Sequence, residues 1–440
     1  MRHRLSIWAL ALLVAGSAGA ESLLIEGGHL FDAVSGRRVR HRATWITHGR
    51  LQQVNVPPEG LRGAGLPVLK LADEDTLLPG LFDLHAHYNL TLHEKRREET
   101  RVMPVLYLAN GATSTFPAGS FDPEAMVEMR RRIDRGEQIG PRVWSAGPYF
   151  GPARPGWNPD ATAEEIAAEV DVWAERGVAG FKVKRISPRQ LAAVIESAHR
   201  HGLTVTGHLD SGFNDTTNPR DAILLGIDRV EHFLGGDALP AGRPAYDSFE
   251  ANVRPDTPEF ARIVELFLEH HVYFDPTVTA YGYFGDRAQA FDRWTDERRF
   301  FTPYARELTA DTLKAFYDAG GGGLITLGTD HNSAGEYLRG FSVHRELHVF
   351  VLAGIPPADA LRMATINGAR ALNLGDRLGT VEPGKWADLI VVPGDPLQDI
   401  TVTRGVHTVI KGGKAYRTQD LLASVEGALG PRSEDELADW

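Results

Sequence analysis

Leu81-Phe82-Asp83-Leu84-His85-Ala86-His87 is a short apolar run that ends in two histidines one residue apart. On a β-strand, side chains i and i+2 point to the same face. A strand over 81–87 therefore sets both imidazoles on one side of its end, where the pair can bite one metal ion. Four more polar groups sit in apolar runs further on: Lys182 after Gly180-Phe181, His208 closing Thr204-Val205-Thr206-Gly207, His232 closing Val230-Glu231, and Asp330 closing Leu327-Gly328-Thr329. Burying such groups is costly unless they are paired or bind metal. Taken singly, each has an ordinary explanation: a hydrogen-bonded core histidine, an edge lysine, a turn. All six in this order at strand ends call for a common one.

Working outward, residues 81–375 alternate strand and helix. The strand candidates are Leu81–His87, Thr113–Pro117, Arg142–Gly147, Gly180–Arg185, Leu203–His208, Arg229–His232, Val272–Val278 and Leu324–Asp330. Helical patterns lie between them, as over Ala163–Arg176, Pro188–His201, Pro258–His270 and Ala305–Ala319. Pro188 suits a first helical turn and Gly202 a helix end. Eight such units predict an α/β fold, a (β/α)8 TIM-type barrel over 81–375, whose site would form at the C-terminal ends of the strands. A doubly wound open sheet is the second choice. Residues 22–80 and 376–420 are β-rich, with a hairpin-like turn at His48-Gly49-Arg50, and are expected to make one small β-sandwich from both termini. The acidic segment 421–440 is expected to fray.

The chain has 440 residues, 42% of them hydrophobic, and a formal charge of −11. An acidic chain is a poor nucleic-acid binder. Arg130-Arg131-Arg132 reads as a solvated helix face. Arg2 and Arg4 precede a nine-residue apolar stretch, Ile7–Ala15, and then Ala18-Gly19-Ala20. That is the form of a secretory signal peptide over residues 1–20, so a periplasmic or secreted location is expected. Its removal would take the charge to −13. There is no cysteine, which excludes disulfides, thiolate metal sites and a cysteine-borne lipid anchor. No membrane anchor is expected, and a homo-oligomer is left open.

The chain resembles the amidohydrolase superfamily, within it the imidazolonepropionase-like and prolidase-type metal-dependent hydrolases, over roughly residues 22–416. The resemblance is carried by Leu78-Pro79-Gly80 through His87, by Asn110-Gly111-Ala112-Thr113-Ser114-Thr115, Val230-Glu231-His232 and Leu327–Asp330, and by Ala364–Leu372 and Gly379–Leu389. The closing stretch, Gly384-Lys385-Trp386-Ala387-Asp388-Leu389, leads such chains from the barrel back into the small sheet. The resemblance implies that His85, His87 and Asp330 hold one divalent ion and His208 and His232 a second. It implies a CO2-derived carboxylate on Lys182 bridging both. Lys184 shares the strand face and is the rival, but Phe181-Lys182-Val183 fits the pattern better. Histidine and carboxylate donors suit zinc, as well as manganese, iron or cobalt.

The expected activity is cleavage of a C–N bond in an amide, dipeptide or cyclic amide by attack of a metal-bridging hydroxide, with Asp330 as general base and then acid. Tyr88, Tyr149, Lys184 and Arg185 are candidate contacts to a small-molecule substrate. Either of the two cations could clamp a carboxylate. The loop Pro148–Trp157 lacks the Gly-Gly-His-rich segment of prolidase-type chains, which speaks against a dipeptidase in particular. A mononuclear deaminase or ring-opening hydrolase, a lactonase or phosphotriesterase, and a non-catalytic barrel remain alternatives.

Overall fold

The computed structural model describes residues 22–61, 65–92, 95–209, 216–232, 255–281, 310–330, 340–434 and 436. The 1–20 segment lies outside them, as do Tyr283 and Phe284, aromatic residues of the long loop expected after the Val272–Val278 strand. Among the described residues, no helix is long and apolar enough to cross a membrane.

The strands of the middle region pair in parallel, in the order of the chain. One sheet runs Arg142–Val143, Ala112–Pro117, Leu81–Ala86. The other runs Tyr149–Phe150, Gly180–Lys184, Thr204–His208, Arg229–Glu231, Tyr273–Asp275. Two stretches join them. The expected third strand, Arg142–Gly147, is broken: its first part pairs with Ala112–Pro117, the chain turns at Gly147 (φ +63°) and Pro148, and Tyr149–Phe150 pairs with Gly180–Lys184. The expected eighth strand, Leu324–Asp330, forms no continuous ladder. It is still bonded on both sides: Phe274 N–H to Leu324 O and Thr326 N–H to Phe274 O, Leu84 N–H to Leu327 O and Asp330 N–H to His85 O. The Leu81–Ala86 strand thus has neighbours on both flanks, unlike the edge of an open sheet.

Helices alternate with these strands, and the local chemistry shows why they begin where they do. Thr162 forms a capping box with Glu165 ahead of the Ala163–Glu175 helix. Ser187, Asn218 and Thr257 each cap a helix whose first residue is proline. A side-chain oxygen satisfies an orphan N–H, and proline gives up one that had no partner. The expected strand over Val272–Val278 stops at Asp275. Pro276 has no N–H to donate, and a short helix, Val278–Tyr281, follows.

The two ends of the chain meet in one six-stranded sheet. Leu389–Val392 runs antiparallel to Thr76–Pro79, with Leu389 opposite Pro79 and Ile390 opposite Leu78. A four-stranded sheet, including Leu23–Glu26 and Ala43–Thr47, shares an apolar cluster with it: Leu23, Ile25, Leu30, Ile46, Leu77, Leu389, Val391 and Ile410. Of the segment expected to fray, the first part is ordered and the end lies outside the described residues. Thr418–Val425 is a helix that buries Leu421 in the main core, and Arg101 donates to Gly430 O (2.7 Å). Apolar burial outweighs the segment's acidic charge.

Candidate metal centre

Alternation along Leu81–Ala86 turns Asp83, His85 and then His87 inward, and all three are buried. Asp83 sets the pair in place. Its carboxylate accepts from His85 N–H (3.1 Å), Thr329 N–H (3.0 Å) and the Thr329 hydroxyl (2.7 Å). One buried carboxylate therefore ties the first strand to the loop that carries Asp330. Burial pushes the Asp83 carboxyl up to about 6, and the three donors act against that.

Asp330 Oδ1 lies 2.9 Å from His87 Nε2 and 3.4 Å from His85 Nε2, and Asp330 Oδ2 lies 3.8 Å from His232 Nε2. The His85 and His232 rings are 4.9 Å apart, and those of His232 and His208 4.6 Å. Lys182 is buried, and its side-chain amine contacts the Glu231 carboxylate. All six expected donors therefore meet at one mouth of the parallel strands.

Among the described residues, two groups of three donors have atoms within 4.8 Å of one another: His85, His87 and Asp330, and His85, Glu231 and His232. Glu231 was no candidate in the sequence. Strand alternation sets it on the face opposite His232, but His232 has φ +67°, which breaks the alternation and lets both side chains face the centre. The Glu231 carboxylate also accepts from the Thr206 hydroxyl (2.9 Å) and lies 3.6 Å from His85 Nδ1. His208 stands beside His232 and outside both groups of three.

The electrostatics fit a divalent cation. Burial, then the neighbouring Lys182, holds His85 well below the usual imidazole range, and burial with Lys184 does the same for His208. Burial pushes His232 down to about 3, against the charge of Asp330. The Asp330 carboxyl is held far below the usual range: the His87 hydrogen bond and nearby positive charge, Lys184 included, overcome its burial. Neutral His85, His208 and His232 beside an ionised Asp330 are in the protonation states that metal ligation requires. His85 Nδ1 is buried without a hydrogen bond, and the nearest carboxylate, Glu231, is 3.6 Å away.

The four substrate candidates fall in different places. Tyr149 lies level with Lys182 on the adjoining strand, is buried, and has its hydroxyl pushed up by burial and then by the Asp330 charge. Lys184 sits opposite His208, half-buried, and Arg185 is exposed with φ +56°. Tyr88 is turned away. Its hydroxyl bonds Thr115 Oγ1 (2.8 Å) and its ring packs on Tyr107 in the core. Alternation foretells this, since Tyr88 follows the inward His87.

The amidohydrolase family model matches residues 76–416. Adenine deaminase 2 of Jannaschia sp. (strain CCS1) is 24% identical over 237 residues, 49% of this chain and 36% of that protein. The chain thus spans little more than a third of that curated relative. Among solved structures, a Xaa-Pro dipeptidase with bound methionine in its active site superposes with TM-score 0.69 at 23% identity, over 90% of this chain and all of that one. Molinate hydrolase gives TM-score 0.70 at 20% identity, over 94% and 99%. These likenesses give the fold, of TIM-barrel type with mixed α/β content.

Proposed function

From the premise that this chain belongs to the amidohydrolase family, we propose that it is a binuclear metal-dependent hydrolase that cleaves a C–N bond in a small amide, dipeptide or cyclic amide. The observation that carries the reading is the approach of His85, His87 and His232 to the one carboxylate of Asp330. We read the strand ring as a (β/α)8 barrel over 81–375 and the terminal sheets, 22–80 plus 376–420, as its small β-sandwich. His85, His87 and Asp330 would hold one ion, and His208 and His232 the other. Lys182 would bridge both as a carbamate: its neutral amine adds CO2, an N–C bond forms and a proton leaves. Burial favours that neutral amine. Zinc is the expected metal by ligand type.

The ions, when bound, would supply Lewis acidity toward a water and toward the scissile carbonyl. The remaining work falls to side chains. Asp330 takes the proton at its carboxylate and returns it to the leaving amine. Tyr149 borders the space above Lys182, and Lys184 and Arg185 bring positive charge to the mouth, where a substrate carboxylate would bind. The adenine deaminase relative favours a deaminase as the second reading; in its mononuclear form that activity needs no modified lysine. Export through residues 1–20 belongs to the same proposal, and the N-terminal sequence of the mature protein checks it.

The test is metal quantification on purified protein, with a screen against N-acyl amino acids, dipeptides and lactams. Two ions per chain and turnover of one class are expected, and one ion would favour the deaminase. Asp330→Asn should lower turnover by about three orders of magnitude or more while part of the metal stays bound. Near-normal activity in that variant would remove Asp330 from the mechanism.

A further inference from the structure

Eight non-glycine residues among those described have positive φ, and one of them, Thr277 (φ +45°), is β-branched. A β-branched residue avoids this region because its Cβ substituents crowd the backbone. A site that needed only volume there would be served by a relaxed glycine or asparagine. Something else holds Thr277 in this conformation and uses its side chain.

What holds it is Glu346, on the Ser342–Leu352 helix. The Glu346 carboxylate accepts from Val278 N–H (2.7 Å) and Thr279 N–H (2.9 Å), the two donors that follow Thr277. Both would otherwise be orphans at the start of the short Val278–Tyr281 helix. Pro276, with its fixed φ, enters the turn from the other side. The backbone of residue 277 is thus clamped between a proline and a buried carboxylate.

The clamped side chain reaches one histidine. Thr277 Oγ1 lies 2.6 Å from His232 Nδ1, and both residues are fully buried. His232 N–H is bonded to Asp275 O (2.8 Å), so backbone and ring are both fixed. The opposite ring nitrogen, Nε2, is the one that faces Asp330 and Glu231, at 3.8 Å from each. Which nitrogen of an imidazole offers a lone pair is decided by the hydrogen bond the other makes.

We propose that Thr277, held in its left-handed turn by Glu346, is a positioning residue whose hydroxyl accepts Nδ1–H of His232 and so presents the Nε2 lone pair to the metal centre. This rests on the reading of His232 as a ligand. It adds a path from the helix after the eighth strand segment, through the turn after the seventh strand, to a single donor.

The test uses the full chain, stripped with a chelator and titrated with zinc alone, the dissociation constant being read by competition with a coloured chelator. Cobalt loading gives a second readout in its visible absorption. Thr277→Val keeps the shape and removes the hydroxyl. It should weaken zinc binding about 10- to 100-fold, the range for loss of such an orienting partner, and alter the cobalt spectrum. Thr277→Ser should restore binding to near the wild-type value. Glu346→Gln should weaken zinc several-fold with the hydroxyl intact, and it carries the test should the valine variant not fold. Zinc binding by Thr277→Val or by Glu346→Gln equal to wild type would overturn the proposal. So would a serine variant as weak as the valine one. A wild-type chain that binds no zinc would overturn the ligand reading itself and this inference with it, whereas normal wild-type loading with unaffected variants would overturn the inference alone.

Discussion

The Lys182 amine and the Glu231 carboxylate touch in the interior, beside the cluster of His85, His87, His232 and Asp330. Removing Lys182 leaves the buried Glu231 carboxylate without this partner, at a cost of about 1–3 kcal/mol. For Lys182→Ala we therefore expect lowered stability together with loss of the binuclear centre, so that metal analysis of the folded fraction finds at most one ion per chain. Two ions would count against the bridging role. The histidines were legible because period two is a local rule: His85 and His87 share a face wherever the strand lies. Glu231, Asp83 and Thr277 were not. Glu231 depends on the positive φ of His232, Asp83 on a loop 246 positions away, and Thr277 on a carboxylate from a distant helix. Lys182 and Lys184 share a face, as the sequence indicates. Alternation does not give their depth, one buried and one half-buried at the strand's end.

At the scale of elements, strand and helix order could be read because each unit carries its own signal, an apolar run followed by a capped helix. Ends were harder. Gly147-Pro148 splits one strand, and Pro276 halts another, through backbone chemistry that hydrophobic patterning does not register. The Ser342–Leu352 helix shows how much an element can hold beyond its apolar face. His344 Nε2–H donates to Asn110 O (2.9 Å), and Nδ1 lies 3.2 Å from Thr403 Oγ1. Burial pushes this imidazole down to about 4 from the usual 6.5. The unfolded chain therefore takes up a proton first. The contribution is fully present above about pH 6.5 and is lost as pH falls toward 4. Between pH 7 and pH 5 His344 should account for about 2 kcal/mol of lost stability. In urea unfolding, His344→Gln should be less stable at pH 7 and should lose less of what remains by pH 5. Parallel pH curves for the two proteins would show that His344 does not titrate on unfolding.

For the whole molecule the question is how a sheet built from both termini is fixed to the strand ring. The stretch Gly384-Lys385-Trp386-Ala387-Asp388-Leu389 is the joint. Arg142, in the ring, donates to Asp388 through Nε (2.6 Å) and Nη2 (3.0 Å), and Gly412 N–H reaches the same carboxylate (2.8 Å). The Arg142 guanidinium lies 4.2 Å from the centre of the Trp386 ring, and the Trp144 ring stacks on it with centroids 6.3 Å apart. Gly80 N–H donates to Asp388 O just before the first ring strand. One aspartate thus ties the entry to the ring, its third strand and the C-terminal hairpin. Asp388 is 1% exposed by its side chain and Arg142 22%, so the pair sits between the surface case, worth under about 1 kcal/mol, and the buried one. Asp388→Ala should cost about 3 kcal/mol and lower the thermal midpoint. Asp388→Asn, which keeps one acceptor oxygen, should cost less. Because none of these contacts includes a metal-centre donor, the folded variants should take up metal as the wild type does. If Asp388→Ala instead melted in two steps, with the terminal sheet lost before the ring, the joint would be what couples two separately stable parts. A single lowered transition would mean that the six-stranded sheet and the ring fold as one unit, as the shared strand pairing of 76–79 with 389–392 leads us to expect.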